Sequence, residues 1–118
     1  MTMRREARVS TVRAAIFIAA LASLSAAPAK ATFVGTITDD MCGTAGHAVM
    51  RMGPTDAECT KACVYSHGAA YVLLDGKKIY TLSDQKSPEK FAGQKVKVVG
   101  TLDAKTKAIR VESIAAAK

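Results

Sequence analysis

The chain has 118 residues, with 17 Lys plus Arg against 10 Asp plus Glu and a formal net charge of +7. That length holds one domain with a small core. Residues 1–31 carry five of the basic groups and one of the acids, so residues 32–118 keep twelve against nine, a net +3. Such a balance, with the aromatics of residues 32–118 only at Phe33, Tyr65, Tyr71, Tyr80 and Phe91, argues against an electrostatic nucleic-acid binder.

The N-terminus reads as a secretory leader over residues 1–31. "MTMRREARVSTVR" is a basic n-region, "AAIFIAALASL" an apolar run too short to span a bilayer, and "SAAPAKA" ends in an A-x-A cleavage pattern. The expected mature domain is 32–118, beginning near Thr32 and exported to the periplasm or beyond. The cleavage pattern is not followed directly by a cysteine, which argues against a lipid anchor, and no later segment is apolar enough to cross a membrane.

The predicted elements follow in order. "FVGTIT" (Phe33 to Thr38) alternates Phe33, Gly35 and Ile37 with Val34, Thr36 and Thr38, as a strand does. A Cys/His-rich insert then runs over 39–68. Within it "TDAECTKACVYSHG" predicts a helix, with a Thr55/Glu58 capping box at its start and Gly68 to stop it. "AYVLLDGKKIYTL" is a hairpin turning at Asp75-Gly76. "SDQKSPEKFAGQ" has room for a short helix around Pro88 to Phe91. "KVKVVGTLD" places Val96, Val98 and Leu102 opposite Lys95 and Lys97, and "AIRVESI" pairs Ile109 and Val111 against Arg110 and Glu112 across the polar loop "DAKTKA".

The expected fold class is mainly β: a five-stranded OB-like barrel, a Cys-bearing helix inserted after strand 1, and a short helix before the last two strands. An α+β sheet with one helix across it is the alternative. "GTITDDMCG", "CTKACV", "YVLLDGKKIYTLSDQ" and "AGQKVKVVGTLD" followed by "IRVESI" resemble a family of small secreted bacterial domains with an OB-like β-barrel. The resemblance implies fold and export. It brings no activity with it, so the chemistry has to come from the residues.

The insert holds all three cysteines and both histidines of the chain, spaced C-x4-H-x11-C-x3-C as Cys42, His47, Cys59 and Cys63. Cys59 and Cys63 stand at i and i+4 on one helix face. Three thiolates and an imidazole make a tetrahedral set for zinc and a soft set for copper. Met41, Met50 and Met52 are nearby thioethers, and His67 is a substitute ligand on the same stripe. Met50 and His67 rank below the four.

The alternative is a structural disulfide joining Cys42 to Cys59 or to Cys63, contributing about 3 kcal/mol by closing a loop of nearly twenty residues. A Cys59–Cys63 bridge fits i,i+4 helix geometry poorly. Thiol-redox chemistry is a lesser reading, because Asp56 and Glu58 oppose a thiolate at the helix start. No hydrolase elbow, phosphate loop or H-E-x-x-H is present. Asp39-Asp40 is an adjacent acidic pair that could bind a cation, but neighbouring residues on a strand face opposite ways, and the pair reads rather as the end of the first strand. The expected protein is thus a non-enzymatic binding module of the cell envelope, with a metal ion or an envelope protein as partner. The alternative is a disulfide-stapled structural or interaction domain.

Overall fold

The computed structural model describes residues 29–48 and 51–117. Residues 1–28, most of the expected leader, lie outside them, as does Met50. Five strands are formed: β1 (Lys30–Asp39), β2 (Tyr71–Asp75), β3 (Lys78–Leu82), β4 (Lys95–Asp103) and β5 (Ala108–Ala116). They close into a barrel in the order β1-β2-β3-β5-β4. Every pairing is antiparallel except β3 with β5. The architecture is the expected OB-like barrel, and the open sheet is not formed.

Alternation along the strands builds the core. In β4 Lys95 and Lys97 are exposed while Val96 and Val98 are buried, so one face fills the barrel and the other meets water. Ile37, Leu73, Tyr80, Leu82, Val96, Val98 and Ile109 form the interior. β1 begins at Lys30, three residues earlier than the expected strand, because Lys30 and Ala31 still find partners at Thr101 and Gly100 of β4. The hairpin turns one residue later than expected. Asp75 is the last paired residue, opposite Lys78, and Gly76 takes a φ of 60° in the two-residue turn Gly76-Lys77. Glycine adopts that left-handed conformation without the steric cost an Asp would meet.

Between β1 and β2 lie a 3-10 turn (Gly43–Ala45) and helix α1 (Asp56–His67). A second 3-10 turn (Ser87–Phe91), with Pro88 in its first turn, sits between β3 and β4. Among the described residues no helix is long and apolar enough to cross a membrane. The N-cap half of the capping box forms: Thr55 Oγ1 accepts from the Glu58 amide at 3.2 Å, while Glu58 Oε2 accepts from the Thr55 hydroxyl at 3.1 Å instead of from its backbone amide. Gly68 ends the helix at φ 67°, as the sequence predicts.

Helix α1 has no aliphatic stripe. The residues it buries are Cys59, Thr60 and Cys63. Its first turn rests on the segment after the second 3-10 turn. Gly93 donates its amide to the Ile37 carbonyl at 2.8 Å, and the Ile37 amide donates to Gln94 O at 3.0 Å. A Cβ at Gly93 would lie 2.9 Å from the Ala57 amide nitrogen, so the helix seats there against bare backbone. The two ends of the insert meet across the sheet. Asp39 pairs with Tyr71 in register, the Asp40 amide donates to Ala70 O at 3.0 Å, and the Ala70 amide donates to Asp40 Oδ1 at 3.0 Å.

Candidate metal centre

Two segments of the insert converge over the end of β1. Cys42 comes from the chain just beyond the strand, and Cys59 and Cys63 come from the buried face of α1. The three Sγ atoms lie within 4.8 Å of one another. Cys42 is 4% exposed and the other two are fully buried. They form a cluster separate from the barrel interior, with Ala69 packed against it. No disulfide joins any pair, so the cross-link considered between Cys42 and Cys59 or Cys63 is not formed in this structure. The Met52 amide donates to Cys59 Sγ at 3.3 Å.

Asp39 belongs to the same place, although as half of an acidic pair it reads in the sequence as a strand end rather than a partner of the cysteines. It is fully buried although it ends a strand. Strand alternation puts Thr38 and Asp39 on opposite faces, yet both are buried, because the insert folds back over the face that would otherwise meet water. Asp39 Oδ1 accepts from the Met41 amide at 3.1 Å and the Cys42 amide at 2.9 Å, a side-chain turn that fixes the backbone carrying Cys42. The D-x-x-C spacing was the available signal for this turn. Asp39 Oδ2 is buried without a hydrogen-bond partner.

His47 is brought to Cys42 as expected, but in different company. Ligand atoms of Asp39, Cys42 and His47 lie within 4.8 Å of one another, a second group that shares Cys42 with the three-sulfur group. The ring nitrogen Nε2 is 3.2 Å from Thr38 Oγ1 and 3.4 Å from Thr60 Oγ1, while Nδ1 is buried without a partner. His67 is exposed at the last position of α1 and falls in neither group. Met41 and Met52 are exposed, and Met50 lies outside the described residues.

The electrostatics oppose thiolates in the metal-free protein. Burial first, then the Asp39 carboxylate, then the other two cysteines push the Cys42 thiol up to about 12 from 9.0. Burial and then Asp39 raise Cys63 as well. A thiol held protonated in this way is a poor nucleophile at neutral pH. A cation reverses the balance, since a coordinating thiol loses its proton outright and the charge that disfavoured the thiolate is neutralised.

The chain matches no protein-family model, no curated protein and no solved structure. No family is assigned to it by these comparisons. The structure adds the five-stranded barrel itself.

Proposed function

We propose that the protein is a small binding module of the cell envelope that holds a soft metal ion, copper or zinc, in the Cys/His insert. The observation that carries this reading is the meeting of three buried sulfurs from two separate segments within 4.8 Å, with no disulfide between them. Cys42, Cys59 and Cys63 are the core ligands, and His47 approaches from the side of Cys42. Such a donor set suits Zn2+ and Cu+. The basic, apolar and A-x-A segments of the N-terminus support export. The raised Cys42 and Cys63 thiols speak against thiol-redox catalysis, which needs an accessible, acidified cysteine.

The test begins with the full chain exported and purified without chelator, its native mass compared with its denatured mass. Retained metal with all three cysteines reduced supports the reading. A two-hydrogen deficit with no metal makes the insert a disulfide staple and overturns it.

A further inference from the structure

Two buried polar atoms at this site have no partner, Asp39 Oδ2 and His47 Nδ1, and both belong to residues gathered around Cys42. An unpaired buried carboxylate oxygen costs free energy unless something of opposite charge or a donor meets it. Among the described residues no Lys or Arg is ion-paired with Asp39. The other oxygen, Oδ1, is already engaged by two backbone amides, so Oδ2 is held in a fixed direction. His47 has the same character. Its Nε2 faces two threonine hydroxyls, and a proton donated from Nε2 to Thr38 Oγ1 leaves the lone pair on Nδ1. Ligating histidines are oriented by this kind of hydrogen bond through the other nitrogen.

We infer that the insert holds two zinc ions rather than one, with Cys42 shared between a three-sulfur seat (Cys42, Cys59, Cys63) and a mixed seat made by Asp39, Cys42 and His47. This deepens the proposed metal-binding function and rests on it. A thiolate sulfur has lone pairs enough to bind two cations at once, and Cys42 is the one residue common to both groups. Charge points to the same count. Three thiolates and one carboxylate carry four negative charges, in residues that are at most 4% exposed. A single divalent ion leaves two of those charges uncompensated in a poorly solvated site, and two divalent ions bring the sum to zero. Two monovalent copper ions do not, so the cluster favours zinc. Loading releases the three thiol protons to solvent and moves no electrons. The mixed seat offers one oxygen, one sulfur and one nitrogen, and its fourth position falls to water.

The experiment counts zinc. Full-length protein, exported, reduced and stripped with chelator, is titrated with Zn2+ against a chromophoric competitor, and bound zinc is read by native mass spectrometry and elemental analysis. Asp39→Asn is titrated beside it. Asparagine keeps the oxygen that accepts from Met41 and Cys42 but removes the charge at Oδ2, so the turn is retained. Far-ultraviolet circular dichroism checks that the variant folds, and His47→Ala provides a second, independent loss. Two zinc ions in the wild type and one in each variant is the expected result. One zinc in all three proteins overturns the mixed seat and leaves the three-sulfur reading standing. Two zinc ions in all three overturns the assignment of Asp39 and His47. No zinc in the wild type overturns both readings.

Discussion

The raised Cys42 thiol makes the metal-free protein sensitive to alkali in a way that a single substitution isolates. In the folded chain the thiol titrates at about 12, against 9.0 for an ordinary cysteine. Below pH 9 the folded and unfolded states are both protonated, and the thiol contributes no pH dependence. As the pH rises from 9 towards 12 the unfolded chain loses the proton and the folded chain keeps it, so stability falls across that window. At about 1.4 kcal/mol for each pH unit the full loss is about 4 kcal/mol, and about 3 kcal/mol of it has gone by pH 11. Cys42→Ala removes this penalty at the expense of a small cavity, about 1 kcal/mol for one buried heavy atom. The wild type is therefore the more stable protein at pH 8 and the less stable one at pH 11. Urea unfolding followed by circular dichroism, in chelator and a phosphine reductant, measures the difference between the two proteins at each pH. Lysine and tyrosine titrations common to both cancel in that difference. A gap that stays constant from pH 8 to pH 11 would refute the burial and Asp39 field assigned to Cys42.

The histidines separate under metal. His47→Ala lowers the affinity for the second zinc ion at least tenfold, whereas His67→Ala, at an exposed helix end, leaves both binding steps within twofold in the same competition titration. Gly93→Ala strains a φ of 75° and drives a Cβ into the Ala57 amide. It should cost about 1–3 kcal/mol, read as a lower thermal midpoint. Tyr71 buries a hydroxyl that has no partner, so Tyr71→Phe should leave stability unchanged or raise it by about 1 kcal/mol, and a clear loss in urea unfolding would contradict that assignment. Thr55→Ala removes the cap of α1 and should cost about 1 kcal/mol in the same assay.

What the sequence made legible is local. The barrel strands show as period-2 alternation, as in Lys95 to Val98, and the helix announces itself through Thr55, Glu58 and Gly68. The grouping of Cys59 with Cys63 follows from helical spacing, and their meeting with Cys42 from the length of the loop. What stayed hidden depends on contacts between distant segments. Asp39 reads as a strand end until the insert folds back over the side of that strand that would otherwise meet water. His47 has no spacing that says whether it joins Cys59 and Cys63 or turns towards Asp39, and the hydroxyls of Thr38 and Thr60 that receive it sit nine and thirteen residues away. The hairpin slipped by one residue because Asp-Gly and Gly-Lys are both good turn pairs, and the choice between them is made by the register of β2 on β3.

The insert leaves and rejoins the barrel at neighbouring points. Asp39 and Tyr71 are partners across β1 and β2, and the Asp40–Ala70 hydrogen bonds close the gap between the two departing strands. A segment whose ends already touch exerts no pull on the frame that carries it. The thirty-odd residues in between can therefore change length without moving either strand end, while Ala57 and Val64 of α1, packed on the barrel interior, tie the insert to the frame at a second place. Entry and exit of the insert are thus fixed by the barrel, while its chemistry is set by residues that the barrel strands do not supply, Asp39 excepted.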